Sequence, residues 1–152
     1  MLLVALVAGM RAWQHRDIVS GAAPALQGTV LTGSKYELPA HPQRPVLVHF
    51  WATWCPICRA EQGTIDAISD EQGNVITVAM QSGRTDLVAN HMQRQELRFP
   101  VINDPESEIA ARWGVHAVPA SFIVAPDGTI EFIEVGYTTG IGLRLRLWWA
   151  GI

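Results

Sequence analysis

The sequence predicts an α/β domain in which helices flank a mixed central β-sheet and a β-hairpin precedes it. Three observations carry that expectation. Two near-continuous apolar runs, "PVLVHF" (45–50) and "NVITVAM" (74–80), have the pattern of strands buried on both faces. Each is followed by a segment of helical periodicity, the strand-helix alternation that places strands side by side in one sheet. Near the end, "SFIVAPDGTIEFIEV" (121–135) reads as two strands joined through Pro126-Asp127-Gly128, a tight turn that adds antiparallel strands to the sheet.

The elements follow in order. "MLLVALVAGM" (1–10) is an apolar run well short of the roughly 20 residues that span a bilayer as a helix. No basic residue precedes it, and "RAWQHRD" after it is a poor signal-cleavage site. It reads either as the remnant of a membrane anchor or as a core element, and the lack of polar alternation favours the anchor. "QHRDIVSGAAP" (14–24) reads as linker, so the expected organisation is anchor remnant and linker over 1–24 and one domain over 25–152. "LQGTVLTGSKYELP" (26–39) is the hairpin, turning at Gly33-Ser34. Helical patterns run from Cys55 to about Asp70 and over 84–97, and "FPVI" (99–102) is extended. Asp104 and Pro105, as N-cap and first-turn proline, start a third helix through Trp113. The tail is ambiguous: Leu143, Leu145 and Leu147 alternate as in a strand, whereas Ile141, Leu145, Trp148 and Trp149 fall at helical spacing. A helix is the expectation, with Trp148 and Trp149 serving the core and a partner contact.

Charge and cysteine usage narrow the function. The formal charge is −3, the isoelectric point is near 5.9, and no basic run tracks a phosphate backbone, which argues against nucleic acid as a partner. Both cysteines stand three positions apart in "WATWCPICRA" (51–60). A bridge of that spacing closes too small a loop to stabilise a fold much through chain entropy. A structural zinc site wants four ligands, and Cys55, Cys58 and at most His49 converge, so no metal site is expected. Cu(I) held by the two thiolates stays open as an alternative, because thiolates suit a soft ion. Redox chemistry is the leading reading.

The placement of the pair supports it. Positions i and i+3 on the first turn of a helix bring Cα atoms within disulfide range, so the dithiol and the disulfide both fit one backbone. Unpaired N–H groups and the helix macrodipole favour an anion there, which lowers the pKa of Cys55. At about 100° per residue, Ile57, Glu61, Ile65 and Ile68 form the core-facing stripe, with Arg59, Gln62, Asp66 and Asp70 opposite. Cys55 then faces solvent as the nucleophile, and Cys58 lies at the edge of the stripe as the resolving thiol. Glu61, an acid on an apolar stripe, either reaches out to a base such as Arg59 or is a partly buried carboxylate of raised pKa that exchanges a proton with Cys58. The neighbouring thiol favours the second reading. His49, six residues before Cys55 in a buried strand, is either an ordinary core histidine or a second proton carrier. Among the other histidines, His116 alone is placed to approach the site, three residues before Pro119.

"FWATWCPICRAE" and "GVHAVPASFIVAPDG" together resemble the two signatures of the thioredoxin fold, in its periplasmic, membrane-tethered branch of cytochrome c maturation and TlpA type. The resemblance runs over about residues 25–149. "VANHMQRQELRFPVINDPESEIAARWGVHAVPASF" and "GYTTGIGLRLRLWWA" are more similar still to the suppressor-of-copper-sensitivity D subgroup. This resemblance implies a thiol-disulfide oxidoreductase anchored by its N-terminus on the periplasmic side of the bacterial inner membrane. Its cofactor would be the Cys55–Cys58 disulfide alone, its substrates protein disulfides and thiols, and its electron donor a membrane-embedded thiol-disulfide carrier. It implies a cis Val118-Pro119 bond, a C-terminal helix, and substrate binding by Trp54, Pro56, Ile57, Val118 and Pro119. Reduction is the implied direction, with oxidation or isomerisation on the same site as the alternative. Two positions depart from the family pattern. Gly63 stands where many relatives kink the first helix with proline, and His49 stands where cytosolic thioredoxins bury an aspartate.

Overall fold

The computed structural model describes residues 19–152. The apolar run Met1–Met10 and residues 14–18 of the expected linker, His15 among them, lie outside the described residues.

Among the described residues, eight strands and four helices follow one another. They are β1 (Gly21–Ala22), β2 (Gln27–Thr29), β3 (Lys35–Glu37), β4 (Val46–Trp51), α1 (Pro56–Gln72), β5 (Val75–Met80), α2 (Thr85–Arg94), β6 (Val101–Asp104), α3 (Glu108–Arg112), β7 (Ala120–Val124), β8 (Thr129–Val135) and α4 (Gly140–Trp149). Six strands form one sheet in the order β1-β8-β7-β4-β5-β6. The two apolar runs become its centre, β4 and β5, paired in parallel with Leu47 opposite Val75. β7 and β8 are the expected antiparallel hairpin. At the turn Gly128 has φ +83°, and a Cβ there would meet the backbone oxygen of Ala40 at 2.0 Å, so only glycine fits. β2 and β3 form the predicted separate hairpin, tied to the sheet edge by the Leu31 N–H to Val101 O bond (3.0 Å). That contact shields the β6 edge from foreign strands.

Alternation along β4 divides the core between the two sheet faces. Val48 and Phe50 face α3 and the hairpin, where Phe50, Trp113 and Phe122 pack with ring centroids 5.1–5.8 Å apart. Leu47 and Trp51 face the other layer, with Ile65 and Ile68 of α1, Val88 of α2 and Leu143 and Leu147 of α4. Each such large side chain, fully buried, contributes about 1.5–3 kcal/mol.

Four expectations are corrected. Gly21 and Ala22, read as linker, pair with Ile130 and Thr129 of β8, because that sheet edge offers hydrogen bonds local polarity does not reveal. The third helix starts at Glu108: Asp104 ends β6, and its carboxylate reaches forward to accept the Ala110 N–H at 2.9 Å. The stripe of α1 is rotated, for Ile57 is half exposed while Gln62 and Asp66 are buried. Those two polar groups face inward because each has work there: Gln62 Oε1 pairs with His91 Nε2, and Asp66 accepts the Arg98 and Phe99 amides. Finally, α4 is a helix as expected, but it buries Leu143 and Leu147 and turns Ile141, Leu145, Trp148 and Trp149 outward. Both of its faces are apolar, so periodicity alone does not choose between them.

Candidate active site

β4 delivers the chain to the site at its C-terminal end, where Ala52 to Trp54 turn into α1. Two contacts fix that turn to the loop after β5: Thr53 N–H donates to Ser82 Oγ (3.0 Å) and Trp54 Nε1 donates to Gln81 O (2.9 Å). Cys55 is the N-cap of α1, with extended backbone at φ −87° and ψ 112°, and Pro56 occupies the first helical position, where its missing N–H costs nothing. The Cys58 N–H points at Cys55 Sγ at 3.1 Å, so the sulfur takes the place of a capping oxygen. Cys55 and Cys58 form a disulfide with Cα atoms 5.3 Å apart.

The expected asymmetry of the pair is small in this oxidised state. Cys55 is 3% exposed and Cys58 0%, so the sequence reading of Cys55 as solvent-facing is corrected: the loop carrying Val118 covers it. Trp54, Pro56 and Ile57 stand exposed around it. Facing them, Val118-Pro119 is cis, and Val118 O lies 3.7 Å from Cys55 Sγ. Pro119 O accepts the Gly136 N–H at 2.8 Å, which ties the strand entering β7 to the loop between β8 and α4. His116 is exposed in the loop that precedes Val118.

The loop between β8 and α4 also reaches α1. The Thr138 N–H donates to Glu61 Oε1, while Oε2 is buried and has no hydrogen-bond partner among the described residues. Glu61 is 2% exposed, and burial pushes its pKa up to about 7 against the opposing pull of the Thr138 amide. Of the two readings of Glu61, the buried carboxylate of raised pKa is the one realised. His49 is buried on the sheet face that carries α1, its Nδ1 2.9 Å from Ser121 Oγ and its Nε2 without a partner among the described residues. Burial lowers its pKa to about 4, so it is neutral at physiological pH. The contributions of Thr138 and Ser121 escape sequence reasoning, since each acts across 77 or 72 positions of chain and nothing in the stretches that contain them marks either as the partner of Glu61 or His49.

Comparison with known proteins fits this geometry. Residues 19–133 match the model of the AhpC/TSA family. The chain belongs to that family. A thioredoxin-like protein of Haemophilus influenzae is 31% identical over 121 residues, which cover 79% of this chain and 72% of that protein. A thiol-disulfide oxidoreductase ResA of Bacillus thuringiensis is 30% identical over 137 residues, 88% of this chain and 79% of that one. Among solved structures, a thiol:disulfide interchange protein of the thioredoxin family from Chlorobium tepidum superposes with a TM-score of 0.74 at 22% identity, covering 88% of this chain and 98% of its own. The AhpC/TSA chain described here therefore has a thioredoxin-like fold and, with a disulfide-forming pair at its helix start, is a thiol-disulfide oxidoreductase.

Proposed function

We propose that the protein reduces disulfides of other proteins from the periplasmic side of a membrane, to which its N-terminal apolar run tethers it. The observation that carries this reading is the juxtaposition at Cys55: a sulfur capped by the Cys58 N–H at 3.1 Å, facing the Val118 carbonyl at 3.7 Å. The capping N–H favours a thiolate nucleophile. The Val118 backbone offers a strand-like edge on which an extended substrate segment lies across it. Trp54, Pro56 and Ile57 supply the apolar surround.

In the cycle, the Cys55 thiolate attacks one sulfur of the substrate disulfide, and the other leaves as a thiolate that takes a proton from water. Cys58 then gives up its proton and attacks Cys55 Sγ, which breaks the mixed disulfide and releases the second substrate thiol. Two electrons have passed to the substrate, and the Cys55–Cys58 bond has formed. A membrane-embedded dithiol carrier restores the pair by the reverse exchange. Glu61 is suited to take the Cys58 proton, because a pKa of about 7 leaves it able to hold and release a proton near neutrality. His49, with a pKa of about 4, contributes as a neutral, Ser121-bonded group that tunes the site.

Two measurements test the reading. The Cys58→Ser variant should accumulate a mixed disulfide between Cys55 and a protein substrate, and Cys55→Ser should accumulate none. The equilibrium potential of the pair, titrated against glutathione or dithiothreitol, should fall near the thioredoxin end of the known range, about −270 mV. A value near −120 mV would reverse the direction and make the protein an oxidant.

A further inference from the structure

The outward face of α4 is a continuous apolar stripe. Ile141, Leu145, Trp148 and Trp149 fall within a sector of roughly 100° at 100° per residue, opposite the buried Leu143 and Leu147. Exposure of those four runs from 60% to 74%, and Ile152 just beyond the helix is 85% exposed. The stripe carries no charge of its own. On its two sides Arg144 is held by Glu71 and Arg146 by Glu134, each at 2.6 Å, so both flanking guanidiniums are engaged within the domain.

The stripe also lies beside the point where the chain enters the domain. Gly21 pairs with Ile130, and the next residue of β8, Glu131, lines one groove with Trp149, Ala150 and Ile152. The apolar run Met1–Met10 is joined to that point through residues 11–20, which span at most about 36 Å when extended. The apolar face of α4 therefore lies beside the point from which the chain leads back to Met1–Met10. Tryptophan, with an apolar body and a polar N–H, suits the headgroup boundary.

From this we infer that the outward face of α4 rests on the lipid surface and forms the second membrane contact of the tethered protein. The inference rests on the tethered reading above and is independent of the redox direction.

The test is flotation of the full 152-residue chain with vesicles of phosphatidylethanolamine and phosphatidylglycerol, and with vesicles of phosphatidylcholine alone. Binding to both, little changed by salt, is expected, together with quenching of indole fluorescence by lipids brominated on their acyl chains. The double variant Trp148→Ser, Trp149→Ser should bind roughly tenfold more weakly and lose that quenching. Its exchange rate with dithiothreitol should match the parent, which shows that the site is folded, and Leu145→Ser should give a smaller loss of the same kind. Equal binding by parent and double variant overturns the inference. So does a dimer in lipid-free buffer that the double variant abolishes, which assigns the face to a second copy. Shielding of both indoles from acrylamide without lipid or dimer assigns it to Met1–Met10 and likewise overturns the proposal. Failure of flotation with an intact mixed-disulfide trap removes the membrane reading and leaves the exchange chemistry standing.

Discussion

Glu61 holds its proton near neutrality because it is buried with one carboxylate oxygen bonded to the Thr138 amide and the other unpaired among the described residues. Its folded pKa of about 7 exceeds the ordinary 4.5, so between those values the native state binds more proton than the unfolded chain. Stability from this group is therefore full below about pH 4.5 and is lost as pH rises through 7. In Glu61→Gln that decline disappears from urea-unfolding free energies measured across pH 4–8. The same variant should lose the inflection near pH 7 in the rate of Cys58-dependent release of substrate. His49 acts with the opposite sign. Its folded pKa of about 4 lies below 6.5, so the unfolded chain takes up a proton that the native state refuses, and stability is lost as pH falls from 6.5 towards 4. His49→Leu should flatten that acid limb. An unchanged slope would sink the assignment of a neutral buried imidazole. At this scale the sequence reads chemistry well and orientation poorly. Ile57 is placed on the core stripe, and the structure leaves it half exposed, because Cys58 takes the inward position of the first turn.

Helix α1 is the element on which site and core meet. It runs unbroken from Pro56 to Gln72 through Gly63, which is exposed and whose Cβ, if present, would meet nothing within 4 Å. Gly63→Ala should therefore stabilise the protein by about 0.5–1 kcal/mol through the lower backbone entropy of the unfolded chain. Denaturant midpoints at unchanged m-value check this, and a loss of stability would point to a bend that alanine does not tolerate. Elsewhere, the central strands are legible because their apolar runs are too short for a buried helix and rich in β-branched residues. α4 is not, since a helix apolar on both faces matches two orientations equally and the two ion pairs, Arg144–Glu71 and Arg146–Glu134, select one.

For the whole molecule, redox direction is a comparison of two folded states. A dithiol whose reduced form is the more stable makes an oxidant, and each 30 mV corresponds to about 1.4 kcal/mol. The proposed reducing role requires that the oxidised chain resist urea at least as well as the reduced chain does. A reduced form more stable by several kcal/mol would contradict it. The bridge contributes little by loop closure, because its sequence separation is only 3, so the difference reports on the thiolate environment of Cys55.

The sequence by itself determined the central strands, the Cys55–Cys58 pair at a helix start and the Pro126-Asp127-Gly128 turn, since each follows from neighbours a few residues apart. Its two signatures, by resemblance, also gave the cis bond at Val118-Pro119 and the enzyme class. Only the tertiary structure decided which face of α4 is buried, that Gly21–Ala22 complete the sheet, and that Thr138 and Ser121 hold Glu61 and His49. Those outcomes depend on groups 72 to 109 positions apart along the chain, brought together by the sheet order, and no local pattern encodes that proximity.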